Sequence, residues 1–324
     1  MNSPQTIRAT TPEDVIAAAP VALGFHPTES VVMMSVGRGG VHCRTDLPTE
    51  EPAFAEVADD LAGAAVRNDC ERAVFVIFSE RADDAARQAE RLADAFSATS
   101  VEVIAMIRAD GERWFALAAD APPELVTEGV PYDVGAHPIT TAAVYDGAVT
   151  HASREELAAT IDPDPDAVRA VTAAVERASH RRFLAQPAAA ARWVERTVRA
   201  AVREGTILDV DDAARLLVSL TDLRVRDVAW ADMSAGSAAA HVAFWTDLVR
   251  RSPPELLPAP ATMLAFASWL SGHGALAWCA LDRCSAVDPA YTLAELLADL
   301  LRHAARPDGW TGIPRELLTL LDSA

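Results

Sequence analysis

The hydrophobic pattern of this chain changes period once, and that change limits the fold more than any other feature. Up to about residue 150 the apolar residues fall in short runs: SVVMMSV at 30–36, VHCRTDL at 41–47, AVFVIF at 73–78 and VEVIAMI at 101–107. Runs this short, bounded by turn residues, suit strands. From Ser153 onward the apolar residues recur at helical spacing, segment after segment, with short connections. The fold class expected is therefore α+β, or mixed. Residues 1–150 form a mixed α/β domain, packed on an all-helical domain of residues 151–324.

Local signals refine the first half. Thr11-Pro12-Glu13-Asp14 opens a helix with a threonine cap, a first-turn proline and two acids at the positive helix end, and Pro20 is expected to close it. Gly37, Arg38, Gly39 and Gly40 join the first two runs into a β-hairpin. AVFVIF is continuous and apolar, as a strand covered on both faces would be. With the helical stretch 83–96 and the run at 101–107 it makes a βαβ unit with a parallel pair, so the sheet is mixed. Residues 114–117 follow as an antiparallel strand, 121–138 as an irregular loop, and 141–150 as a small hairpin or edge strand around Asp146-Gly147. In the second half, helices are expected near 166–183, 188–204, 211–220, 237–251, 260–271, 275–286 and 293–305, with a short last one near 314–321.

Charge and residue usage exclude several classes of chemistry. The formal net charge is −19, which argues against nucleic-acid and anionic-membrane binding, since both need clustered positive charge. All 28 basic residues are arginine. Without lysine there is no phosphate-loop lysine, no Schiff base and no lysine nucleophile. The four cysteines, Cys43, Cys70, Cys279 and Cys284, form no C-x-x-C pair, so neither a zinc knuckle nor a dithiol redox motif is expected, and the metal and cofactor expectation is none. The first fifteen residues lack a secretory leader's pattern, and no apolar run is long enough to span a membrane; a cytoplasmic location is expected.

Several stretches together carry a family resemblance. They are Leu23-Gly24-Phe25-His26-Pro27 followed by Ser30-Val31-Val32, then Val225-Arg226-Asp227, Met263-Leu264-Ala265-Phe266-Ala267 with Trp269, Gly272-His273-Gly274-Ala275-Leu276-Ala277, and Asp288-Pro289-Ala290-Tyr291-Thr292-Leu293-Ala294. In order and spacing they resemble the actinobacterial domain-of-unknown-function family 4192. The resemblance implies relatives, not a mechanism. Relatives carry a cysteine cluster after the tryptophan that corresponds to Trp114, whereas residues 118–125 here read AADAPPEL. Any metal or redox role implied by that cluster is not expected of this chain.

The candidate site residues are His26, Ser30, Arg226, Asp227, Gly272, His273 and Gly274. His26 sits in a loop ahead of a strand that begins at Ser30, where loops present functional side chains and histidine is the residue type suited to acid–base work; the competing reading is a turn residue bonded to backbone. Gly272-His273-Gly274 links two apolar helices. Its glycines permit close backbone approach ahead of a helix whose free N–H groups attract anions, or they simply reverse the chain. Arg226 and Asp227 form either an arginine clamp for a carboxylate or phosphate, or an ion-pair knot in which Asp222 meets Arg226 at four-residue spacing. Arg192, Arg196, Arg199 and Arg203, shortly after His180, Arg181 and Arg182, form one basic stripe, read as a solvated or internally paired face.

No catalytic motif is present. The leading functional expectation is a non-catalytic protein-interaction or small-ligand-binding protein. A protein partner, a homo-oligomer or a small anionic ligand is its expected partner, without nucleic acid or membrane. The alternative is a small-molecule enzyme with an inter-domain site, in which His26 or His273 is the acid/base and Arg226 holds the substrate.

Overall fold

The computed structural model describes residues 9–37, 41–118, 120–177 and 186–318. The fold is α+β, with a mixed sheet in the N-terminal half and helices in the C-terminal part. It divides into two compact units, Met1–Glu156 with His303–Arg306, and Leu157–Arg302 with Pro307–Ala324.

The first unit is built on a six-stranded sheet in the order β2-β1-β3-β4-β5-β6. β1 (Ser30–Val36) pairs antiparallel with β2 (His42–Asp46) and with β3 (Arg72–Phe78). The loop residues 38–40 of the expected hairpin lie outside the described residues. β3 runs parallel to β4 (Glu102–Ala109), which requires the crossover helix between them. β5 (Arg113–Ala116) and β6 (Val130–Pro131) extend the sheet antiparallel.

The continuous apolar strands follow from cover on both faces. Val31, Met33, Phe75 and Ile77 point to a core shared with helices α2 (Ala53–Arg67) and α3 (Ala82–Ser97). Their neighbours Val32, Met34, Val76 and Phe78 point to the opposite core with α1 (Pro12–Leu23). Period-2 geometry splits one apolar run between two cores.

Helix α1 begins with a complete capping box, Thr11 receiving the Asp14 N–H and Asp14 reaching back. It does not stop at Pro20 but continues through it to a left-handed Gly24, φ 78°. Pro20 lies in the last turn, where its missing N–H costs one helical bond, and it is buried among the apolar residues of that turn. The expected loop at 121–138 contains helix α4 (Pro123–Thr127) and the short strand β6. The stretch 141–150 is not a hairpin or edge strand: α5 (Pro138–Tyr145) is helical, started by Pro138 and by His137, whose Nδ1 accepts the Ile139 N–H at 3.3 Å. Its packing with α1 overrides the strand preference of its threonines and valine.

Helix α6 (Arg154–Ala159) leads to the second unit, where every further element of the described residues is helical. These are α7 (Pro165–Arg177), α8 (Pro187–Glu204), α9 (Val210–Ser219), α10 (Leu223–Trp230), α11 (Ala238–Arg251), α12 (Pro258–Leu270), α13 (Gly274–Val287) and α14 (Thr292–Arg302). The expected last helix is a 3-10 turn, Arg315–Leu317. Every residue of α12 except Trp269 is buried, as an uncharged helix with apolar residues all round requires.

One guanidinium ties the connections of the first unit together. Arg81 Nε donates to Glu29 Oε2 at 2.5 Å, Nη1 to Asp84 Oδ2 at 2.6 Å, and Nη2 to the Leu47 carbonyl at 3.1 Å. Lysine offers a point charge without that planar fork. Arg81→Lys is expected to destabilise the protein by roughly 2 kcal/mol in urea melts, despite conserving charge. A change below about 0.5 kcal/mol, the ordinary surface range, would contradict this role.

Candidate functional site

The two candidates of the first unit lie on the loop from Gly24 to Ser30. Phe25 bridges to His151 in parallel fashion, with the His26 N–H on the His151 carbonyl and the His151 N–H on the Gly24 carbonyl, both at 2.9 Å. The His26 side chain is exposed. Ser30 is fully buried and its hydroxyl is already engaged, donating to the Thr28 carbonyl at 2.6 Å and accepting from Arg44 Nε at 2.9 Å.

Between them, Glu29 adopts φ 44°, a left-handed conformation that costs a non-glycine residue energy. Its carboxylate accepts from Ser79 Oγ at 2.8 Å, the Glu80 N–H at 3.3 Å and Arg81 Nε. Burial alone would raise the Glu29 pKa, but these hydrogen bonds and the Arg81 charge hold it below the usual value. The loop is thus latched to the turn between β3 and α3. Sequence reasoning missed Glu29, Ser79 and Arg81; the available signal was a polar Ser-Glu-Arg triplet between a buried strand and a helix.

In the second unit Arg226 and Asp227 face each other. Arg226 Nη2 and Nε donate to Asp227 Oδ1 at 2.9 and 3.2 Å, and Nη1 donates to the Tyr291 hydroxyl at 3.2 Å. The same carboxylate oxygen accepts Trp230 Nε1 at 3.3 Å. The Asp222 carboxylate does not pair with the Arg226 guanidinium; only the Arg226 backbone N–H reaches the Asp222 carbonyl, at 2.9 Å. That carboxylate caps α10 and pairs with Arg224 at 3.0 Å, because an N-cap side chain folds back onto the first turn. Trp230 stacks on Trp310, 5.5 Å and 7° between ring planes, and Phe266 meets both edge-on at 4.8 and 4.9 Å. Tyr291, Trp230 and Trp310 were not among the sequence candidates.

Gly272-His273-Gly274 closes α12 and opens α13. Gly272 is left-handed, φ 79°, the His273 N–H donates to the Ser268 carbonyl at 2.8 Å, and His273 is the cap residue of α13 without a side-chain capping bond. Its Nδ1 lies 3.4 Å from Ser271 Oγ. Gly274 has no left-handed angle and opens the helix. The structure therefore joins Arg226 with Asp227 and joins the three turn residues. Among the described residues no hydrogen bond or ion pair connects His273 to Arg226 or Asp227.

The remaining ionisable groups are mostly spent internally. In the basic stripe, Arg199 pairs with Glu195 and Asp232, and Arg203 with Glu204. His180, Arg181 and Arg182 lie outside the described residues. Burial pushes the Cys43 and Cys284 thiols up to about 12, far from the reactive thiolate range. Among the described residues no group of three His, Cys, Asp or Glu is placed to hold a metal ion, and no helix is long and apolar enough to cross a membrane.

These features define an α+β protein with a latched loop in one unit and an arginine–carboxylate–aromatic cluster in the other. The chain belongs to the family described as Domain of unknown function (DUF4192), whose model matches residues 12–308. No curated protein and no solved structure matches it.

Two outcomes follow for the second unit. Gly272→Val should cost roughly 1 kcal/mol or more, since a β-branched residue is forced to positive φ, whereas Gly274→Ala should be neutral or stabilising at a helix start. Equal losses in thermal melts would contradict the turn geometry. His241 is 5% exposed, and burial lowers its pKa from 6.5 to about 4, with the charge of Asp232 opposing. A depressed folded-state histidine pKa leaves stability intact above about pH 6.5 and erodes it as pH falls toward about 4, by up to about 3 kcal/mol. In paired urea melts from pH 7.5 downward, His241→Phe should flatten that decline; an unchanged slope would count against it.

Proposed function

We propose that this chain is a cytoplasmic, non-catalytic binding protein that acts through contacts with another protein. One contrast carries the reading. Arg226, Ser30 and the Cys43 and Cys284 thiols are occupied or suppressed within the chain, while large apolar side chains are left in solvent at one turn. Arg226 is held by Asp227 and Tyr291, Ser30 by Thr28 and Arg44, and burial suppresses the Cys43 and Cys284 thiols. By contrast Val144, Tyr145 and Val149 are 66%, 91% and 70% exposed.

An aromatic side chain flanked by valines on a surface turn is the composition of an interface anchor. The cytoplasmic assignment is supported by Cys43, Cys70 and Cys284 remaining thiols, as a reducing compartment keeps them. A small anionic ligand at Arg226 would have to displace the Asp227 carboxylate, which weighs toward a protein partner.

The test compares two baits in the native host's lysate, the wild-type chain and a Tyr145→Asp, Val149→Ser double variant, quantified by mass spectrometry. Both substitutions lie on exposed positions, so circular dichroism and melting temperature should be unchanged. The expected result is a protein retained by wild type and depleted at least about tenfold with the variant, the loss of one interface anchor. Identical retention by both baits would overturn this surface as the binding site.

A further inference from the structure

Helix α11 carries two polar side chains in a place that ordinarily excludes them. Trp245 has no exposure and His241 is 5% exposed. Neither Trp245 Nε1 nor His241 Nδ1 meets a hydrogen-bonding atom of the protein. Spaced at i and i+4, the two rings share one face of the helix. Native interiors almost always provide buried polar atoms with a partner, either protein or ordered water.

The two groups are chemically complementary. An indole N–H can only donate, and a neutral imidazole offers one nitrogen that accepts. They do not bond to each other, and one small polar molecule that accepts from one and donates to the other would satisfy both. A third group of the same kind lies on the neighbouring helix: Ser268 Oγ of α12 is also buried without a partner. Helices α11 and α12 pack together and are joined by the short connection 252–257, which makes them antiparallel. His241 precedes the end of α11 by ten residues and Ser268 follows the start of α12 by ten, so at equal rise per residue they stand at the same level.

The surroundings select the charge of the occupant. Leu248 and Val249 of α11 and Leu264, Ala265 and Ala267 of α12 are all buried and apolar. An ion here would lose its hydration among apolar side chains, while His241 is itself held neutral by burial against the opposing charge of Asp232. We propose that His241, Trp245 and Ser268 form an internal binding site for one water molecule, which accepts from the Trp245 indole N–H, donates to His241 Nδ1 and exchanges a third bond with Ser268 Oγ. Three polar partners fall within the two to four that buried waters make. The site is independent of the proposed protein contact at Tyr145.

Two measurements on the full chain test it. A crystal structure that resolves ordered solvent should show a peak within hydrogen-bond distance of His241 Nδ1, Trp245 Nε1 and Ser268 Oγ. Direct protein–protein bonds among these atoms, with no peak, would overturn the proposal. Thermal melts then read the coupling: His241→Phe and Ser268→Ala should each lower the melting temperature. The double variant should lose clearly less than the sum, because the first substitution already strips the shared water of a partner. Strictly additive losses would mean that the two residues share no partner, and would also overturn it.

Discussion

The Arg81 guanidinium is the point through which the connections of the first unit are held. A mixed sheet covered on both faces needs its loops pinned where they leave the strands, since the strand residues that face the two cores are apolar. Arg81 reaches the loop before β1 through Glu29, the turn after β2 through the Leu47 and Pro48 carbonyls, and the first turn of α3 through Asp84. The conformational cost of Glu29 at positive φ is tolerated because three donors hold its carboxylate. In a chain with no lysine, every such junction is made by a planar fork, which fixes direction as well as charge.

The second unit depends on a different constraint, the exclusion of all charge from α12. PAPATMLAFASWL contains four alanines and two prolines, and these small side chains let α11, α13 and α14 pack against it. Polar atoms inside such a helix must be satisfied locally. Thr262 does so by bonding back to the Pro258 and Ala259 carbonyls. Ser268 does not, which is why it stands out. Phe266, which also touches Trp269, receives Trp310, whose indole N–H is anchored on the Met233 carbonyl at 2.8 Å.

Much of this was legible in the sequence, and the failures have specific causes. AVFVIF read as a doubly covered strand because period 2 sends its residues alternately to two cores. The capping box at Thr11 and Asp14 is a four-residue signal and needs no tertiary information. The stretch 141–150 was misread as a hairpin or edge strand because threonine, valine and Asp146-Gly147 suggest one, while the helix Pro138–Tyr145 rests on contact with α1. The Glu29–Arg81 latch was invisible for another reason. Its partners are 52 residues apart, and a glutamate at positive φ leaves no trace in composition. Of the candidate site, the Arg226–Asp227 pair was found and its partner was not: Tyr291 lies 65 residues downstream of Arg226.

The pattern of satisfaction among polar groups bears on what such a protein can do. Catalysis needs a base held by an orienting group and aimed at a reacting atom. His151 and His26 lend their backbones to a bridge, His137 caps a helix, and His273 opens one. Arginine forks that bind anions elsewhere here close on the chain's own carboxylates, as Arg226 does on Asp227 and Arg81 on Glu29. Partly exposed ion pairs of this kind, held by several hydrogen bonds, add definition to a surface more than reactivity. Tyr145, left almost wholly in solvent, makes little of the contact its ring could make, and the proposed protein contact rests on that surplus.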